Sequence, residues 1–437
     1  MSLLAANAVD RRILALAVPA FGALAAEPLY RLIDTAIVGR LGKEQLGGVA
    51  VAVSLLSLVI AGSNFLAYGT TQRVANRLGA NDRPGAANVG IQATWIALAI
   101  GAVAAPLLAL FARPLALVIG ASDDVVGFSV TYLQISAIGV PFVLVGLACQ
   151  GTQRGASDYR SALVVLIAAN VVNAAVEIVL VFGFDLGVAG AAWSTVVAQV
   201  LAGTALAWRS IPHLGAASSR RPRWSEMRPL LSAGRHLLLR VGAMLMVFTG
   251  ATSLAARVDD ATLAAHSIAV TVFLFLALTL DALAVPAQTL VAEELGQGAA
   301  GAAEVSQRAV RLSIRIGLML AVALALLSPL IARAFSNEAD VVSRATAALV
   351  LLAAILVPGS VAFATDGSLI GAGDYRFLGR AAVVYLVAVV PIAAAVVLAP
   401  SLGIIGIWLG LFVWMTLRAI VNRRRAQQVL GAGAPAQ

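Results

Sequence analysis

Twelve stretches of predominantly apolar residues follow one another along this chain of 437. Their approximate bounds are 13–39, 46–72, 88–111, 127–149, 162–184, 188–209, 231–256, 262–292, 310–333, 342–365, 378–399 and 402–421. A helix needs about 20 apolar residues to cross the hydrocarbon of a bilayer. The succession therefore predicts an all-α, polytopic membrane protein with twelve transmembrane helices. Composition agrees: 12% of residues are charged and 61% hydrophobic, against about 25% charged in soluble globular chains. The first stretch follows Arg11 and Arg12 and is too long for a signal-peptide core of about 7–15 residues.

The net charge of +9 would suit nucleic acid only on a water-facing domain. None is evident, so no nucleic-acid partner is expected. With the N-terminus placed in the cytoplasm, 22 Lys and Arg fall on the inner side and 6 on the outer, while Arg31 and Arg240 lie inside spans. That asymmetry follows the positive-inside rule and puts both termini in the cytoplasm. Cys149 stands alone, so no internal disulfide forms, and the scattered His213, His236 and His266 make no metal-ligand pattern. No cofactor is expected.

The chain repeats itself. "QGTQRGASDYR" (150–160) returns as "DGSLIGAGDYR" (366–376), and the "GVAG" that begins at Gly187 returns as "GIIG" from Gly403, both at an offset of 216. Earlier in each half the offset is 217, pairing Arg40 with Arg257 and Leu78-Gly79 with Leu295-Gly296. The expected organisation is an N-terminal six-helix lobe (1–212), a cytoplasmic linker (213–228) and a C-terminal six-helix lobe (229–437). Six is even, so both lobes enter from the same side. That makes a parallel repeat about a pseudo-two-fold axis along the membrane normal. Within the repeated phrase, Gly155 and Gly371 suit helix ends, and Asp158 and Asp374 suit caps on the following helices.

Charged residues at mid-span cost about 2.5–3.5 kcal/mol each, so those retained point to function. In "EPLYRLID" of the first span, Glu27, Tyr30, Arg31 and Asp34 share one helix stripe. Glu27 and Arg31 can neutralise one another, which leaves Asp34 as the surplus acid. Pro19 lies mid-run in the same span and reads as a hinge. In "ANVVNAAVEIVL" of the fifth span, Asn170, Asn173 and Glu177 form another stripe. Asn173 and Glu177 can coordinate a small cation together, and Asn170 reads as a cavity residue or as interhelical glue.

The repeat serves as a control. Asp34, Asn173 and Glu177 correspond to Ala251, Val389 and Ala393. Conversely, the second half has Asp281 against Asn64 and Asp366 against Gln150. The first cluster is expected to couple ions; Asp281 and Asp366 are expected to offer counter-charge to a cationic substrate, or Asp366 to cap a helix end. Hard oxygen ligands suit Na⁺ as well as H⁺, so Asp34, Asn173 and Glu177 also form a candidate Na⁺ site.

At "EPLYRLIDTAIVGRLG", "QGTQRGASDYR", "NVVNAAVEIVLVFG" with "LGVAGAAWST", and "DGSLIGAGDYR", the chain resembles the multidrug and toxic compound extrusion (MATE) family. The likeness is nearest to its branch of DNA-damage-inducible bacterial proteins and covers essentially the whole chain. It implies a two-lobed exporter in the bacterial cytoplasmic (inner) membrane that expels cationic or amphipathic compounds in exchange for H⁺ or Na⁺. By the same resemblance, Asp34, Tyr30, Asn173, Glu177, Thr195, Tyr132 and Gln150 fall on the family's site positions, with Pro19 as the bending proline. Two departures stand out: Glu177 where the family has Asp, and Gln150 where it has Asn. The protein is expected to be a monomer, to meet small amphipathic or cationic molecules and membrane lipid, and not to be an enzyme.

Rival readings differ in what they require. A lipid-linked precursor flippase of the same wider superfamily calls for more intramembrane cations than Arg31 and Arg240. A polytopic enzyme calls for a water-facing acid pair or a His/Cys metal cluster, and neither is evident. Duplicated but chemically unequal lobes argue mildly against a passive channel.

Overall fold

The computed structural model describes residues 8–431. Hydrocarbon offers backbone N–H and C=O groups no partners, and a helix satisfies them within one segment. Every regular element among the described residues is accordingly helical. In chain order these are α1 (Ala8–Val38), α2 (Lys43–Ser63), α3 (Phe65–Gly79), α4 (Arg83–Leu110), α5 (Ala112–Ile119), α6 (Asp123–Ala137), α7 (Val140–Gly155) and α8 (Tyr159–Ile178). The second part holds α9 (Gly187–Leu214), α10 (Trp224–Val258), α11 (Asp260–Gly296), α12 (Ala302–Phe335), α13 (Ala339–Gly371), α14 (Tyr375–Leu398) and α15 (Gly403–Leu430). Eleven segments are long and apolar enough to span singly, and α6 with α7, bent by 52° at their junction, make the twelfth as a broken span.

That break has a local cause. Pro141 offers no N–H to the Ala137 carbonyl and its ring crowds that oxygen. Gly139 meanwhile leaves room for the Gln199 side chain, which an added Cβ would overlap. The expected span 127–149 therefore divides around residues 138–139. The expected span 46–72 is likewise two helices, parted at Asn64, and α8 runs on into a π turn, Val179–Gly183. By contrast, α1 continues unbroken through Pro19 and Pro28.

The helices pack as two units: Gly22–Gly234, and the residues up to Phe21 together with those from Arg235 onward. The first turns of α1 thus belong with the second unit. There Ile13 and Ala17 are buried among Leu283, Ala287 and Leu290, and Arg12 pairs with Glu293 at 2.7 Å.

Each unit has a central helix. In the first, α7 packs on α3, α4 and α9; in the second, α13 packs on α11, α12 and α15. These two helices are repeat partners, and both end in the repeated phrase. A Cβ on Gly151 would lie 2.7 Å from the Ala67 carbonyl oxygen, and one on Gly155 would lie 2.7 Å from Val74 Cβ. In α13 a Cβ on Gly371 would come within 2.5 Å of the Gln288 carbonyl oxygen, and one on Gly367 would overlap that of Ala284. Glycines four apart let backbones touch, and such packing is what joins helices in lipid. Both helices do end at these glycines, but close approach is the stronger demand on them.

The phrase's acids divide. Asp158 caps α8 by accepting from the Ser161 N–H at 3.1 Å. Asp374 makes no cap and instead pairs with Arg425 at 2.7 Å. The large apolar side chains left outside, such as Leu326 and Leu398 at 76% and 86% exposure, are those that lipid would solvate.

Candidate functional site

Four helices of the first unit converge on one polar cluster. On α1, Tyr30 and Asp34 stand one turn apart; on α8, Asn173 and Glu177 do the same. Tyr132 comes from α6, just before the break in its span, and Thr195 from α9. The Thr195 hydroxyl is the hub: it lies 3.2 Å from the Tyr30 hydroxyl and 3.1 Å from that of Tyr132, and donates to the Ala191 carbonyl at 3.0 Å. Asn170 reaches α1 by donating its amide to the Ala26 carbonyl at 3.0 Å. It joins α8 to α1, as the glue reading of this residue expects.

The carboxyl groups of Asp34 and Glu177 face one another, with the Tyr30 hydroxyl beside Asp34. Asp34 is 6% exposed and Glu177 fully buried. Asp34 Oδ1, both Glu177 oxygens and Asn173 Oδ1 accept no hydrogen bond from a protein donor, and Asn173 Nδ2 finds no acceptor. Two acceptor-only groups facing each other in a buried place leave charge and lone pairs unanswered. Burying them so costs several kcal/mol unless a cation lies between. A proton meets that demand. A small metal ion would draw on the same oxygens, with Asn173 Oδ1 close at hand; among the described residues no group of three or more His, Cys, Asp or Glu is arranged to hold one.

Other expected residues lie apart from the hub. Glu27 and Arg31 pair at 2.6 Å on an exposed face, and Arg31 also donates to Ser57. Gln150 is buried on α7 and accepts from Arg154 at 3.1 Å. Pro19 is buried on α1 among the residues of the second unit, and Asp281 is half-buried on α11.

Asp366 requires correction. It was expected as counter-charge for a substrate cation or as a helix cap, and it is neither. It lies inside α13, 4% exposed, where Oδ2 accepts from Arg240 and from Arg418 at 2.6 Å and Oδ1 accepts from Asn422 at 2.5 Å. Tyr385 donates to Asn422 at 2.8 Å, and the Arg418 guanidinium lies over the Trp414 ring at 4.7 Å. A carboxylate already answered by two guanidiniums has no charge to spare. Arg418, counted above on the inner side, is buried inside α15. The sequence held a signal for this: Trp414, Arg418 and Asn422 recur every four residues on one helix face. Asp366→Asn leaves Arg418 buried without a carboxylate, which is expected to cost about 3–5 kcal/mol. Thermal unfolding in detergent checks this, and the double variant Asp366→Asn/Arg418→Gln is expected to lose less than the two single changes combined.

A model of the MatE family matches residues 19–179 and 238–395. Protein DETOXIFICATION 44, chloroplastic, of Arabidopsis thaliana is 31% identical over 95% of this chain and 82% of its own length. DNA damage-inducible protein F of Escherichia coli K12 is 27% identical over 94% and 90%. Among solved structures, a crystal structure of MATE in the bent conformation superposes with a TM-score of 0.91 at 21% identity, over 98% of this chain and 96% of that one. The match covers a large part of each unit and includes both acids of the facing pair, Asp34 and Glu177. The chain belongs to the MatE family of multi-pass membrane transporters.

Proposed function

We propose that this transporter is a secondary active antiporter that exports cationic or amphipathic compounds in exchange for H⁺ or Na⁺, by alternating access between its two lobes. The observation that carries the reading is the facing pair Asp34 and Glu177, buried, with Asp34 Oδ1 and both Glu177 oxygens accepting from no protein donor. With a cation between them the pair is neutral enough to stay buried. Once the cation leaves, two negative charges share a low-dielectric site and repel. That repulsion is relieved when a substrate cation arrives or when α1 bends at Pro19, which has no N–H to give the Ala15 carbonyl. Ion and substrate then occupy the site in turn, and one gradient drives the other.

The proposal places the protein in the bacterial inner membrane as a monomer, with both termini in the cytoplasm. Everted membrane vesicles test its function. Under an imposed pH gradient or a Na⁺ gradient, a fluorescent lipophilic cation is expected to accumulate, and the gradient that serves names the coupling ion. No movement of any amphipathic cation under either gradient would overturn the reading and favour the lipid flippase.

A further inference from the structure

The repeat that frames the acid cluster also frames its counterpart, and that counterpart is a cavity. Offsets of 217 and 216 carry Tyr30 to Val247, Asp34 to Ala251, Asn173 to Val389, Glu177 to Ala393 and Thr195 to Leu411. All five of these line one cavity of about 320 Å³, formed by α10, α14 and α15 of the second unit. One framework is thus used twice: once around a polar, filled cluster and once around an apolar chamber.

Its shape and chemistry point to a ligand. The volume lies at the low end of the range for small-molecule sites, about 300–1,000 Å³. The walls are Met, Val, Leu, Ile, Ala and Gly, which give a water no hydrogen bonds. Ser253 and Arg257 are the only polar side chains, and both are exposed near the end of α10. Arg257 has no ion pair among the described residues. An apolar trough with one unanswered guanidinium at its rim complements a chain with an anionic head. A cationic head would be repelled there, and a neutral one would leave the guanidinium unpaired.

We propose that this chamber binds a long-chain carboxylate, with the chain against Ala251, Val389 and Ala393. The carboxylate accepts two parallel N–H bonds from Arg257, the strong charge-assisted geometry that guanidinium favours. The Ser253 hydroxyl is the further donor. The site is separate from the acid cluster and does not depend on the antiport reading.

Photolabelling of the full chain in detergent micelles tests it, with a long-chain carboxylate bearing a terminal diazirine as probe. The same chain with an alcohol or a trimethylammonium head serves for comparison. The carboxylate is expected to label residues 246–257 and 386–396 at least about five-fold more than either comparator, as a charge-assisted head contact requires. Arg257→Gln is expected to bring labelling down to the level of the alcohol. Gly250 lines the cavity and an added Cβ there meets nothing within 4 Å, so Gly250→Leu brings its side chain into the chamber from an uncrowded position. It is expected to remove the labelling, while Gly242→Leu, equally free of contacts but outside the lining, keeps it. Equal labelling by all three heads, or labelling indifferent to Gly250→Leu, would overturn the proposal. Asp34→Asn is expected to label as the unchanged protein does; a loss there would tie the signal to the acid cluster and likewise overturn it.

Discussion

Asp34→Asn and Glu177→Gln should each reduce gradient-driven export to the rate of vesicles lacking the protein. Each change keeps the shape and removes one of the two facing acids. The remaining carboxyl can then accept a hydrogen bond from the new amide, so the site no longer needs a cation to stay buried. Membrane insertion and thermal stability should hold or rise, because a buried like-charge contact has been removed. The measurement is accumulation of a fluorescent cation beside the thermal midpoint of the same preparation. Unchanged transport in both variants would remove the acid pair from the coupling step. A lost midpoint together with lost transport would instead give the pair a structural role.

Gly367→Ala should be the most destabilising single methyl in the protein. The added carbon would overlap the Ala284 carbonyl oxygen, which belongs to the backbone of α11 and has no rotamer to escape into. Overpacking costs about 1–3 kcal/mol where side chains can shift, and here α13 and α11 must separate, so the upper end or beyond is expected. Gly242→Ala is the matched comparison, since the added carbon meets nothing within 4 Å. It should be neutral or stabilising by up to about 1 kcal/mol through helix propensity. Equal midpoints for the two would remove the close approach of α13 and α11 as a source of stability.

Span count, repeat and acid positions were legible in the sequence because each rests on local pattern: length, spacing, and charge where charge is costly. Asp34, Asn173, Glu177, Tyr30, Tyr132 and Thr195 all reach one neighbourhood as the spacing and the family resemblance implied. What escaped depends on partners from other helices. Asn170 meets a backbone carbonyl, and every residue has one, so no sequence pattern marks Ala26 as its acceptor. The fate of Asp366 rests on Arg240 and Arg418, respectively 126 and 52 positions away. The stripe Trp414, Arg418, Asn422 was readable, but not which helix it would face. Gly155 and Gly371 read as punctuation because they stand at helix ends; with Gly151 and Gly367 they also serve helix contact, and only the neighbouring helix reveals that second use. The bend between α6 and α7 was hidden by hydropathy, which runs on across Gly139 and Pro141 without interruption.

The two helices that end in the repeated phrase have a consequence for movement. Where backbones touch through glycine, sliding or rotation collides at once, so α7 with α3 and α13 with α11 should shift as rigid pairs. In the spanning stretches of α8, α10 and α14 only 22% of residues are buried, against 67% in α13. These loosely held outer helices have neighbours to exchange at little cost. Two of them, α8 and α14, start within the phrase, at Tyr159 and Tyr375. The protein thus has a stiff keel in each unit and compliant planking around it, and Glu177 of the acid pair sits on planking.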